Sequence, residues 1–190
     1  MKRISFVFIA LVSIARAVQI TGFGTGDFTA SIPFGTDSQS ATSYTISGTD
    51  SGSLYGNLAS SVPALGSVTT LYLTGTLTFG TNPATNFQVR LYDDDGDGRI
   101  YQASWGNFST SGVEQEVVLS FNGLDNSGTG GFSGTASTVA LIGSGTGTSS
   151  INFVLNNLAT TSAVPEPATY AAAFGVAALG LATWRKRRAV

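Results

Sequence analysis

The chain has neither cysteine nor histidine, and most of its nine basic residues sit at its two ends. Each absence removes a class of chemistry. Without histidine there is no Ser-His-Asp relay, and without cysteine as well there is no Cys-His pair and none of the usual zinc ligand sets. Residues 18–163 contain no lysine, which removes a serine-lysine hydrolase and the phosphate-cradling loop that depends on one. The same stretch sets only Arg90 and Arg99 against ten carboxylates, a formal charge of −8. Such a surface lacks the basic footprint that phosphate needs, which argues against nucleic acid or anionic lipid as a partner. With no disulfide to close a loop, any fold here must rest on an apolar core.

Both ends of the chain carry apolar segments with charged flanks. Lys2 and Arg3 precede eleven mostly apolar residues, Ile4 to Ile14, and then Ala15-Arg16-Ala17. This is the order of a secretory signal peptide spanning residues 1–17, cut after Ala17 or, as a second choice, after Ala15. Eleven residues cover only about half of a bilayer core at the helical rise, which argues against a retained anchor. At the other end, Val164-Pro165-Glu166-Pro167 is followed by an almost uncharged run, Ala168 to Trp184, and by Arg185-Lys186-Arg187-Arg188. The run is a transmembrane helix at the short limit of span length, bracketed by Tyr170 and Trp184 at interface positions. Its basic flank holds the tail on the cytoplasmic side and leaves everything before Ala168 outside the cytoplasm.

The tripeptide Pro165-Glu166-Pro167, the apolar helix and the terminal basic cluster, in that order, resemble the PEP-CTERM sorting signal of bacterial exported proteins. The resemblance covers roughly Val164 to Arg188, in a sorting segment that occupies residues 164–190. It implies that an exosortase, an integral-membrane processing enzyme, reads the tripeptide and removes the helix and tail. A signal peptidase would act at the other end. The protein would be anchored in the inner membrane before processing and would then lie at the cell surface or in an exopolysaccharide matrix.

Between the ends, residues 18–163 suit one domain. Their apolar residues alternate: Leu71, Leu73, Leu77 and Phe79; Phe87, Val89 and Leu91; Val113, Val117, Leu119 and Phe121; Ile151, Phe153 and Leu155. Further runs lie at Ala41 to Ser47 and Ser137 to Ile142. Gly, Asn, Asp and Pro punctuate them at 81–83, 93–98, 122–123, 126–131 and 143–147. The pattern predicts an all-β domain, an antiparallel β-sandwich of a jelly-roll-like kind with about eight or nine strands.

Three constellations in this domain bear on chemistry. Asp93-Asp94-Asp95-Gly96-Asp97-Gly98 follows the first half of a calcium loop, with Asp93, Asp95, Asp97 and the Arg99 carbonyl as ligands and Gly98 at the turn. The twelfth position is Ser104, where the loop needs a bidentate glutamate, and an acidic hairpin turn accounts for the same residues. Tyr92, Tyr101, Trp105 and Phe108 cluster nearby; on an exposed face they would stack on sugar rings, and inside a sandwich they would fill the core. Glu114 and Glu116 share a strand face as a loose imitation of a glycosidase pair, or as a charged edge that discourages sheet pairing. The expectation is an exported surface or matrix protein without catalytic activity. A carbohydrate-binding module is the first alternative, and a carboxylate-based glycosidase the second.

Overall fold

The computed structural model describes residues 18–83 and 85–162. The signal peptide at 1–17, the tripeptide motif, the 168–184 span and the basic tail lie outside the described residues. Among the described residues no helix is long and apolar enough to cross a membrane.

Among the described residues eleven strands form the domain: β1 Gln19–Thr21, β2 Phe28–Ile32, β3 Thr36–Gln39, β4 Tyr44–Thr49, β5 Ser51–Val62, β6 Thr70–Phe79, β7 Asn86–Tyr92, β8 Asp97–Ser104, β9 Glu114–Asn126, β10 Ala136–Ser144 and β11 Ser150–Ala159. They make one hydrogen-bonded antiparallel sheet in the order β2-β5-β10-β7-β8-β9-β6-β11-β4-β3, with β1 added to β11. The central run from β5 to β4 is the order left by a long hairpin rolled up on itself, which is how jelly rolls lay their strands. Curling brings distant strands face to face: Phe87 of β7 meets Phe153 of β11 at 6.5 Å between ring centroids, and Phe28 of β2 meets Tyr44 of β4 at 5.7 Å.

The alternation of the sequence decides which side is buried. Leu71, Leu73, Leu77, Phe87, Val89, Leu91, Ile151, Phe153 and Leu155 all point into one core. Two expected core residues depart from it. Val113 precedes β9 and stands exposed after a turn, its amide bonded to the Thr110 carbonyl. Phe121 lies at the margin, 37% exposed, where its ring covers the Arg99 guanidinium at 4.2 Å.

The expected turn at Asn122-Gly123 falls inside β9. Tyr101 pairs with Phe121 and Ile100 with Gly123, so Asn122 is the extra residue of a bulge, and Gly123 takes φ 150°. A bulge of this kind bends the strand and sharpens its twist where the sheet turns from one layer to the other.

Candidate functional site

The aromatic residues expected near the β7–β8 hairpin divide between the two sides of the sheet. Trp105, Tyr101 and Phe108 are fully buried. Trp105 packs on Phe87 at 4.5 Å and Phe153 at 5.5 Å, and Tyr101 donates to the Val68 carbonyl at 3.0 Å. None of these three can stack on a sugar in the folded protein; they are sandwich core, because alternation along β8 turns Tyr101 inward and the 3₁₀ turn Trp105–Asn107 tucks the indole beneath β7. Tyr92 alone is on the outer side, half-buried.

The acidic hairpin is organised by its own carboxylates. Asp93 Oδ1 accepts the amides of Asp95 and Asp97, and Asp93 Oδ2 accepts that of Ser133 at 2.8 Å. Asp97, completely buried, accepts the amides of Gly128 at 3.1 Å and Gly131 at 2.8 Å. The left-handed residue of the turn is Gly96, at φ 85°, and not the expected Gly98, which continues into β8. Arg99 is in β8 as well, paired with Leu91 and Leu124. Asp97 thus spends both oxygens on loop 127–135 and Asp93 divides its own between that loop and its own turn, while Asp95 stands exposed. Among the described residues no three carboxylates gather as a metal-holding group.

Asp50 repeats the device at the opposite end of the sandwich. Only 1% exposed, it takes the amides of Gly147 at 2.9 Å, Thr146 at 3.2 Å and Ser149 at 3.3 Å. In a domain without lysine, buried carboxylates find their donors in glycine-rich loop backbone. Charged acceptors make such bonds about twice as strong as neutral ones.

Glu114 and Glu116 stand on β9 beside β6, opposite Thr76 and Thr74. Glu114 accepts from the Asn156 side chain and Glu116 from the Ser162 hydroxyl. The first lies exposed on the outer side of the sheet.

The best-organised polar surface is on the other layer, on the outer side of β7, β8 and β9. Gln88, Arg90 and Tyr92 alternate with the buried Phe87, Val89 and Leu91 and so face outward together. Arg90 grips the Gln88 side-chain oxygen through Nε at 3.1 Å and Nη2 at 2.9 Å, and its Nη1 meets Asp125 at 3.0 Å. The Tyr92 hydroxyl donates to the same Asp125 oxygen at 2.9 Å. The Gln102 side-chain oxygen accepts from Gln88 at 3.3 Å and from Asn122 at 3.0 Å. Sequence reasoning passed over Arg90, Gln88, Gln102, Asn122 and Asp125. The available signal was the Gln-x-Arg-x-Tyr alternation on a strand whose other side is Phe-x-Val-x-Leu.

Two carboxyls are held below their ordinary value. For Asp93 burial pushes up, and the bonds from Ser133, Asp97 and Asp95 outweigh it. For Asp125 the Tyr92 hydroxyl is the leading cause, opposed by burial and helped by Ser127 and Arg90. A depressed folded pKa contributes stability that is complete above the unfolded value, about 3.9, and is lost as pH falls through the lower folded value. The urea midpoint is therefore expected to hold level from pH 7 to about 5 and to drop below about pH 4. Asp125→Asn should flatten part of that drop.

No curated protein sequence matches the chain significantly. Among solved structures it is similar to a mutant of a family 29 carbohydrate-binding module, at TM-score 0.47 and 10% identity over 80% of this chain and 98% of that one. It is also similar to a CBM29-2 mutant at TM-score 0.48 and 11% identity, over 80% and 99% of the two chains. A CBM29-2 mutant complexed with cellulohexaose gives 0.47 and 11%, over 80% and 99%. At these scores the likeness supports no inference about ligand or activity. Outside the folded domain the match is to a sorting signal: the chain carries, at residues 163–188, the PEP-CTERM protein-sorting motif.

Proposed function

We propose that the chain is an exported surface or exopolysaccharide-matrix protein, delivered through its sorting motif and without catalytic activity. The observation that carries this is the motif at residues 163–188, which an exosortase-type enzyme would process. The fold is compatible with delivery from one pole. β1 pairs with the end of β11, and the Thr160 amide donates to the Val18 carbonyl at 3.0 Å, so the start of the domain and the residues before the motif lie side by side. Cleavage after Ala17 and processing at the Pro-Glu-Pro segment would trim both ends at that pole and leave the core whole.

The test is the intact mass of the protein recovered from membrane, surface and medium fractions of its native cells. Loss of residues 1–17 together with the tail beyond Pro165-Glu166-Pro167 is the expected result. Retention of Ala168 to Val190 in every fraction would make the protein a membrane-anchored domain and overturn the processing step.

Catalysis by Glu114 and Glu116 has little to recommend it, since Asn156 and Ser162 engage them on an open sheet surface. Carbohydrate binding keeps a specific support, at a place other than the buried aromatics: the ordered polar face around Arg90.

A further inference from the structure

We infer that the outer side of β7, β8 and β9, centred on Arg90 and Gln102, is a binding surface for an uncharged, hydroxyl-rich polymer, a neutral polysaccharide. This rests on the reading of the domain as a surface or matrix component and supplies the site and ligand chemistry that it lacks.

The first reason is the pattern of hydrogen-bonding capacity left over. Arg90 carries five N–H donors and uses them in four bonds, to Gln88, Tyr92 and Asp125. Gln102 accepts twice at its oxygen, while its two amide N–H groups meet no acceptor among the described residues. Gln88 and Asn122 each commit one of two amide hydrogens. With the Gln88 and Gln102 oxygens already engaged, the surface is rich in open N–H donors, suited to ligand oxygens such as hydroxyls and ring ethers.

Charge selects among such ligands. Arg90 and Asp125 neutralise each other at 3.0 Å, so the patch presents no net charge of its own. The rest of the domain is strongly acidic, and an anionic polymer would meet its repulsion. An uncharged polymer meets neither obstacle.

Order and shape complete the case. The side chains rise from neighbouring strands and already hold one another, so little rotamer freedom remains to be lost on binding. Two strands over, in the row Arg90, Ala140, Tyr55, the outer position of Ala140 is fully buried and Tyr55 is half-buried beside it. The Tyr55 backbone stands about 10 Å from that of Arg90 by strand spacing, which sets an aromatic side chain of the kind that stacks on the C–H side of a sugar ring at the edge of the patch.

The experiment is affinity electrophoresis of the full chain in detergent through gels containing neutral glucans, mannans or galactans, with a polyuronate gel as the acidic counterpart. Retardation is expected in at least one neutral gel and not in the polyuronate. The double variant Gln102→Ala with Asn122→Ala should weaken it at least tenfold while leaving the melting temperature within a few degrees. Thr76→Ala, on the opposite layer, should leave it unchanged. Absence of retardation in every neutral gel, retardation by the polyuronate alone, or full binding by the double variant would each overturn the proposal. Failure here leaves the mass measurement of the sorted protein untouched, and failure of that measurement leaves this binding test untouched.

Discussion

Trp105→Ala is expected to destabilise the domain by about 4 kcal/mol, in the range for emptying a large aromatic from a packed core. For a domain of this size that corresponds to a fall of roughly 12 °C in melting temperature. Trp105 is fully buried and touches Phe34, Phe87 and Phe153, so its removal leaves rings from both layers without a partner. Trp105→Phe should cost far less, about 1 to 2 kcal/mol. The reason is particular to this indole: its Nε1 is buried and meets no hydrogen-bond partner among the described residues, so phenylalanine gives up ring volume and no such bond. Urea denaturation of the two variants separates a core role from a ligand role. If Trp105→Ala left the midpoint unchanged while abolishing ligand binding, the indole would have to be on the surface, and the packing described above would be wrong.

Asp97→Ala is expected to cost about 3 kcal/mol, since it removes two hydrogen bonds that the Gly128 and Gly131 amides donate to a completely buried charged acceptor, at about 1.5 to 3 kcal/mol each. Asp97→Asn keeps one acceptor oxygen and should fall between. The loss should be local in origin. Loop 127–135 is held against the β7–β8 hairpin by Asp97 and Asp93, and hydrogen exchange should show its amides losing protection before those of β6 or β11. Melting with added calcium tests the calcium loop expected from Asp93, Asp95 and Asp97. Because loop amides already occupy the Asp93 and Asp97 oxygens, several millimolar calcium is expected to leave the melting temperature of the unmodified protein unchanged. A rise of several degrees, lost in Asp97→Asn, would show instead that a cation displaces the amides.

The reason Asp97 is a clamp could not be read from its neighbours in sequence. Asp-x-Asp-x-Asp-Gly looks alike whether its oxygens face a cation or the backbone of a loop some thirty residues away, at Gly128 and Gly131. Asp50 illustrates the same limit, since its donors Thr146, Gly147 and Ser149 lie almost a hundred positions on. The strands were far more legible. Leu71, Leu73 and Leu77 lie inward because a strand turns alternate side chains to one face, and no tertiary contact was needed to foresee it. Where alternation misled, a local irregularity intervened. Asn122-Gly123 has turn composition yet forms a bulge, because the paired strand β8 continues past it.

The amino-acid sequence by itself determined the sorting signal and the all-β class. The sorting motif is a linear order of tripeptide, apolar run and basic tail, and such signals are carried by residue type and spacing alone. The missing histidine, cysteine and internal lysine likewise excluded whole chemistries by composition. Tertiary structure decided which polar groups meet. Trp105 and Tyr101 went inside and Arg90 came to lie between Gln88 and Asp125, because strand order places β7 beside β8 and β8 beside β9. Hydrogen bonds and charge pairs act over a few ångströms, and only the closed sheet brings residues so far apart in sequence within that reach.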